Sequence, residues 1–387
     1  MKKLRICFIS IFLLILAIFF VKTVTSNREV SDVEKRELVT FPEINKSSIF
    51  SSDTYTQLTY AFNDQLFNRD FLVKTYYLFQ FQRYLGDVVK GEDNEMFSSV
   101  QTGVDYDEYK EDLLDASSYV NDVARELQEN DIQFIFLSIP RKDAYLEEYL
   151  PSTYTSSRDI YEYGVNILKE NLDSSIIFID ALDVFEENKG DNHYYFKTDH
   201  HINVRGGELL YKEIMNIVNQ KYNAPIYELE DLYDIHSVTV NGSFNKQVGQ
   251  GVKLSQEELY LTLKEDISYR RYENDTLSNL SVWSKGTEYG NVFMSGDRAY
   301  TRIETNRKDL PNIMYVGSSF TNVLEALTIP SVNRMVSIDY RDNKSGTSIL
   351  EYAKKYDIQY VVFVPSQSNN ALNPSAIRLH IGANNES

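Results

Sequence analysis

"NIMYVGSSFTNVLEALTIPSVNRMVSIDYRDNKSGTSILEYAKKYDIQYVVFVPSQ", Asn312 to Gln367, sets the fold. "NIMYVG", "RMVSIDY" and "IQYVVFVPSQ" are short apolar runs rich in β-branched and aromatic residues, the composition of buried strands. Between them "SFTNVLEALTI" and "GTSILEYAKKY" carry apolar residues at helical spacing. Strands alternating with helices predict a mainly parallel sheet covered by helices on its faces.

The same rhythm appears upstream. "YKEDLLDASSYVNDVARELQEN" reads as a helix, Ile132–Pro140 as a buried strand, residues 160–172 as a helix, "SIIFID" as a strand and "VRGGELLYKEIMNIVNQKY" as a helix. Between about 222 and 310 the pattern changes to short alternating runs such as "HSVTVNGSF" and "ELYLTLK", separated by Asn and Gly. The expectation is an α/β domain with a β-rich insertion at 222–310, either an inserted subdomain or long loops.

The N-terminus predicts location. "MKKLR" precedes an unbroken apolar or small run from Ile6 to Val21, the pattern of a secretory signal or signal anchor. Lys22 can snorkel and Thr23–Thr25 extend the run, so a retained single-pass anchor over 1–26 is the favoured reading. "VTS" at 24–26 offers a cleavage site, which leaves secretion as the alternative. Residues 27–75 read as a membrane-proximal stalk and helix, and 76–387 as the catalytic domain, outside the cytoplasm. The stretch "TYTQLTYAFNDQLFNRDFLVKTYYLFQFQRYL" is read as one amphipathic helix or a pair.

Composition narrows the chemistry. The net charge of −18 speaks against a nucleic-acid partner, because phosphate neutralisation needs a basic face. The one cysteine, Cys7, lies in the apolar run, so neither a disulfide nor a thiolate metal site is expected. The 29 Tyr suit a carbohydrate-facing surface as well as ordinary packing.

In open α/β sheets sites form at the carboxyl ends of strands. Ser318 and Ser319 follow the strand "NIMYVG" directly, before a helix. A serine there can meet backbone N–H groups and the positive end of the helix, as an acyl-transfer nucleophile requires. Ser319, deeper in the turn, is the better nucleophile; a plain N-cap role for either serine stays open. The base is sought in "KTDHH". In an extended segment residues i and i+2 share a side, so Asp199 and His201 would face one cleft while His200 turns away. Asp191 with His193 has the same spacing and competes. Arg141, Lys142, Tyr195 and Asn322 are weaker candidates.

"HYYFKTDHHINVRGGELLYKEI" resembles the Y-x-x-T-D-x-H-W-T-x-x-G-A pattern of the alginate O-acetylation proteins and the related DHHW family, which are SGNH-hydrolase-like. "EKRELVTFPEI", "AFNDQLFNRDFLVK", "IQFIFLSIPRKDAYLEEYLP" and "IMYVGSSFTN" resemble further family segments in the family's order, across most of residues 30–365. The resemblance implies a three-layer SGNH-like sandwich whose Asp–His pair precedes its serine, a permuted order. It implies Ser319 as nucleophile, His201 as general base and Asp199 as orienter, with no cofactor. The sequence departs from the pattern at Ile202, where the family has Trp, and at Ser318, where it has Asp.

The function so implied is a membrane-anchored extracytoplasmic O-acetyltransferase for a cell-surface or secreted polysaccharide, with a membrane acyltransferase partner supplying acetyl groups. An esterase of the same fold and a catalytically silent carbohydrate-binding or scaffold protein are the alternatives. A metal-dependent phosphoesterase, suggested by the literal "DHH", lacks the early paired carboxylates that would hold its metals.

Overall fold

A computed structural model describes residues 2–31, 34, 36–43, 51–83, 86–99, 103–190, 193–249, 251–365 and 372–381. The chain forms two compact units, one of residues 1–86 with 245–251 and one of 87–244 with 252–387.

The first unit begins with α1 (Lys2–Val24), whose apolar side chains are unburied and whose length and composition suffice to cross a membrane. A small hairpin pairs Val30–Ser31 with Arg36–Glu37. The amphipathic stretch is a pair of helices, α2 (Ser52–Asp64) and α3 (Arg69–Gln82). Ser51 caps α2 by accepting from the Thr54 N–H. The Arg36 guanidinium forks onto the Asp64 carboxylate at 2.6 and 3.0 Å, and Asp64 also accepts from the Val39 N–H at 2.9 Å. Its hydrogen bond from Arg36 pulls the Asp64 carboxyl down to about 2. Gln65 accepts from Ser26 and the Arg28 N–H, and donates to the carbonyls of Arg28 and Val39. The described part of the polar segment after α1 is therefore fastened to the end of α2. The two family-like segments at 34–44 and 61–74 meet through Arg36 and Asp64.

The second unit is built on one eight-stranded sheet. Its strands are β1 (Gln133–Ser138), β2 (Ile177–Asp180), β3 (Arg270–Glu273), β4 (Thr276–Ser278), β5 (Tyr300–Glu304), β6 (Asn312–Gly317), β7 (Arg334–Ile338) and β8 (Tyr360–Val364). They lie in the order β4-β3-β5-β7-β6-β8-β1-β2. The five from β7 to β2 are parallel, and β3, β4 and β5 continue the sheet antiparallel. The central strands are apolar throughout because both faces are covered: Ile313–Val316, Val361–Val364 and Ile135–Leu137 are all buried. This is the SGNH-like α/β architecture with a mainly parallel sheet flanked by helices.

The main helices are α4 (Tyr106–Gln128), α5 (Arg158–Asn171), α6 (Val204–Val218), α7 (Asn322–Thr328) and α8 (Ile349–Lys355). Helix α4 packs on α5 and α8, and α6 packs on α7. The 222–310 stretch is not a separate β subdomain. Tyr233–Thr239 and Gln256–Leu263 pair as their own hairpin, but β3, β4 and β5 extend the central sheet, because β5 finds an open edge at β7.

Candidate active site

Strand β6 ends at Gly317, and the chain turns through Ser318 into a short 3-10 helix, Ser319–Thr321, that runs on into α7. Ser319 thus stands at the carboxyl end of a central parallel strand. Its Oγ is 2.8 Å from His201 Nε2. Ser318 provides no side-chain cap, and its buried Oγ has no hydrogen-bond partner among the described residues.

His201 is delivered by a tight loop rather than an extended strand. Tyr195 bridges Ile202, the Phe196 N–H donates to the His201 carbonyl at 3.2 Å, and the Asn203 N–H donates to the Tyr194 carbonyl at 2.9 Å. Within this loop Asp199 Oδ1 accepts from the His201 backbone N–H at 3.1 Å and from the His201 ring Nδ1 at 2.7 Å. Asp199 Oδ2 accepts from the Ser243 N–H at 2.7 Å. Burial pushes the Asp199 carboxyl up, but the charge and hydrogen bond of His201, then His200, outweigh it and hold the group far below the usual range. An ionised carboxylate only accepts, so His201 Nδ1 carries the proton and Nε2 is left to accept from the Ser319 hydroxyl.

His200 does not turn aside. Because the segment is a turn, its ring lies 3.9 Å from the His201 ring, and its Nδ1 is 3.0 Å from Ser243 Oγ. Its partly desolvated setting and then the neighbouring His201 push its pKa down to about 3. The competing His193 meets the Tyr149 hydroxyl at 3.1 Å and Glu95 at 3.5 Å instead of a serine; Asp191 lies outside the described residues.

Tyr289 was not singled out by sequence. Its ring stacks on His201 at 4.0 Å and its hydroxyl donates to the Ser319 carbonyl at 2.7 Å. One residue so touches both His201 and Ser319. It sits in the 222–310 stretch among many tyrosines, with no motif to mark it.

The remaining candidates are structural. Lys142 is buried: its Nζ lies 2.9, 2.7 and 2.6 Å from the carbonyls of Met96, Phe196 and Lys197, and 2.7 Å from the Glu95 carboxylate. Two of those carbonyls belong to the loop that presents His201. Arg141 pairs with Asp143 at 2.7 Å and donates to Ser98. Tyr195 is buried and donates to the Pro140 carbonyl. Asn322 Nδ2 donates to Asp297 at 2.8 Å, which commits it away from the serine.

The "RGG" that opens α6 explains how the two turns come together. A Cβ on Gly206 would lie 2.6 Å from the Tyr194 carbonyl oxygen, and one on Gly207 would lie 2.7 Å from Val323 Cγ2. Only glycine lets α6 sit this close to the histidine loop on one side and to α7, the helix after Ser319, on the other.

Behind the serine turn lies buried Glu325, whose Oε1 meets the hydroxyls of Thr321 and, at 2.7 Å, Ser337. Burial raises its carboxyl to about 7. Thr321 has one hydroxyl proton and two acceptors, Glu325 and the Ser318 carbonyl at 2.9 Å. A neutral Glu325 that donates to Thr321 lets Thr321 donate onward to the Ser318 carbonyl.

Asp199, His200 and His201 offer ligand atoms within 4.8 Å of one another. Both ring nitrogens of His201 are already engaged, so an ion there would displace the contact to Asp199 or to Ser319.

Residues 88–255 match the family model of the SGNH hydrolase-like domain of acetyltransferase AlgX. The fold is SGNH hydrolase-like. PatB1 of Bacillus cereus superposes with a TM-score of 0.59 at 20% identity, over 74% of this chain and 98% of PatB1. The PatB1 structure with a sulfonyl adduct gives 0.60 at 20% identity, over 74% of this chain and 96% of that one. A DHHW family protein of Eubacterium siraeum gives 0.59 at 19% identity, over 76% of this chain and 98% of its own. These likenesses are of fold. No curated protein matches the chain in sequence. The matched family segment contains Asp199 and His201 and ends before Ser319.

Proposed function

We propose that the chain is an extracytoplasmic, membrane-anchored O-acetyltransferase that modifies a cell-surface or secreted polysaccharide through Ser319, His201 and Asp199. The observation that carries the reading is the unbroken relay from Asp199 Oδ1 to His201 Nδ1 at 2.7 Å and from His201 Nε2 to Ser319 Oγ at 2.8 Å. The match to an acetyltransferase domain over residues 88–255 supports the choice of acyl group and reaction class.

In the first half-reaction His201 Nε2 takes the Ser319 proton as Oγ attacks the acetyl carbonyl of the donor. The developing oxyanion is met by N–H groups at the start of the turn after β6. Collapse breaks the bond to the leaving group, which departs with the proton from His201, and acetyl-serine remains. In the second half a sugar hydroxyl gives its proton to His201 and attacks the acetyl-serine. The ester bond to Ser319 breaks and Oγ recovers the proton. Asp199 stays ionised and stabilises the imidazolium in both halves. An esterase follows the same steps with water as acceptor. Anchoring by α1 keeps the site beside a membrane partner that supplies acetyl groups from the cytoplasm.

The test is release from a chromogenic acetyl ester with and without an oligosaccharide acceptor, together with intact mass after a sulfonyl fluoride, the probe class suggested by the PatB1 adduct. Acceptor-stimulated release and a single adduct, both absent in Ser319→Ala, are expected. Release that ignores the acceptor supports the esterase, and neither release nor adduct in the wild type supports a silent scaffold.

A further inference from the structure

Helix α3 carries an uncovered aromatic face that no part of the proposed chemistry uses. Phe71, Leu72, Tyr76 and Phe79 are 67, 44, 57 and 55% exposed. At 100° per residue they fall within one stripe of the helix, shared with Thr75, Gln82 and, just past the helix end, Arg83. The stripe contains no carboxylate, in a chain with 57 acidic residues against 39 basic ones. The opposite side of α3 is the packed one: Phe81 is buried, and Gly251 and Gly249 come close to Phe81 and Lys74. Four large apolar side chains on one helix face are an exposed patch of the kind that marks an interaction surface.

The start of α3 is fixed to the end of α1. The Phe67 N–H donates to Thr23 Oγ1 at 3.1 Å, and the Phe67 ring meets Phe19 edge-on at 5.3 Å. Phe19 and Thr23 belong to the last turns of the one described helix able to span a bilayer, at its end away from the basic "MKKLR". That contact puts Phe67 at the level where α1 leaves the hydrocarbon. Aromatic rings are most favourable at that depth, with the ring in the acyl boundary and a phenol reaching the headgroups. A single cation without carboxylates suits an anionic lipid surface.

We infer that α3 is an interfacial helix that lays Phe71, Leu72, Tyr76 and Phe79 into the outer surface of the bilayer that α1 crosses. The helix pair then acts as a foot that fixes the end of α1 at the membrane surface, where a single spanning helix would leave a swivel. The inference rests on α1 being retained in the membrane but not on the chemistry at Ser319.

The test uses the full chain with Cys7→Ser, since Cys7 is the only cysteine, reconstituted in phosphatidylcholine–phosphatidylglycerol vesicles. Nitroxide labels are placed by Phe79→Cys, by Tyr76→Cys in case the first does not fold, by Ile11→Cys within α1, and by Asp122→Cys on exposed α4. Labels at 79 and 76 should collide several-fold more with oxygen than with a water-soluble nickel complex, as at 11, and the label at 122 should show the reverse. Water-like behaviour at 76 and 79 with a lipid-facing label at 11 overturns the interfacial helix and leaves the anchor standing. Mature protein lacking α1 overturns the anchor itself. Labels that are water-exposed in pure lipid but immobilised in native membranes assign the face to a protein partner and overturn the lipid assignment.

Discussion

Two turns meet at the candidate site, and they are held by opposite electrostatics. The histidine loop is fixed by charge: ionised Asp199 accepts from three N–H groups, and the Lys142 ammonium clamps the carbonyls of Phe196 and Lys197. The serine turn is fixed by neutral groups: the Tyr289 and Thr321 hydroxyls and a Glu325 that burial keeps protonated up to about 7. Under the proposed roles, the base His201 needs a partner whose charge never fluctuates, whereas a fixed charge beside Ser319 would misdirect its hydroxyl proton. The difference gives each turn its own failure mode.

The largest effect is expected on the charged side. Asp199→Asn keeps the shape of the loop but presents an amide donor or a weaker acceptor to His201 Nδ1, favouring the wrong tautomer. By analogy with other serine triads, kcat should fall about 10³- to 10⁴-fold. Single-turnover acylation by a chromogenic ester measures it, and a loss under tenfold would show that Asp199 does not orient the base. Next is Lys142→Met, which leaves buried Glu95 with only His193 beside it, at 3.5 Å, and three carbonyls without their cation. A loss of about 3–5 kcal/mol in chemical denaturation is expected, with the loop's protection against hydrogen exchange lost first.

The pH response separates the turns more sharply. Asp199 has a depressed carboxyl pKa, so its contribution is present above its unfolded value and is lost as pH falls through the acid range. Glu325 runs the other way. Its folded value of about 7 exceeds the ordinary 4.5, so the folded state keeps a proton that the unfolded state releases, and stability declines between those two values as pH rises. The shift corresponds to about 3 kcal/mol. Glu325→Gln should flatten the stability profile between pH 4.5 and 7 and raise stability at pH 8, as read from urea midpoints. An unchanged profile would place the slope elsewhere.

The same contrast decides what the sequence made legible. The parallel strands were readable because burial on both faces leaves an unbroken apolar run, as in Ile313–Val316. That Asp199, His201 and Ser319 lie close together was readable because the signals are local: a D-x-H pair in one turn and a serine just past a strand end. The reason offered for the pair was wrong, since the segment is a turn, and so was the expectation that His200 faces away. Tyr289 and Glu325 were not legible, because each acts through long-range packing that leaves no spacing signal. The role of Lys142 was hidden for the same reason: its four oxygens come from two segments far apart in sequence, Glu95–Met96 and Phe196–Lys197. The role of Gly206 and Gly207 was hidden in plain view, as glycines inside a helical pattern whose neighbours only the fold supplies.

Tyr289 is where the two turns touch, so it gives the finest test of the comparison. Tyr289→Phe removes the donor to the Ser319 carbonyl and leaves the ring on His201. Tyr289→Leu removes the ring as well. If the phenol steadies the serine turn, the Phe variant should lose about 0.5–1.5 kcal/mol of transition-state stabilisation, roughly two- to tenfold in kcat, with KM for the ester unchanged. If the ring also holds the imidazole, the Leu variant should lose a further several-fold and shift the pH dependence of acylation, because the base is then free to reorient. Equal rates in the Phe variant and the wild type would make the hydroxyl contact a passenger of packing and leave the serine turn to Thr321 and Glu325 alone. A Phe variant as slow as the Leu variant would show that the single hydrogen bond, not the stack, couples nucleophile to base.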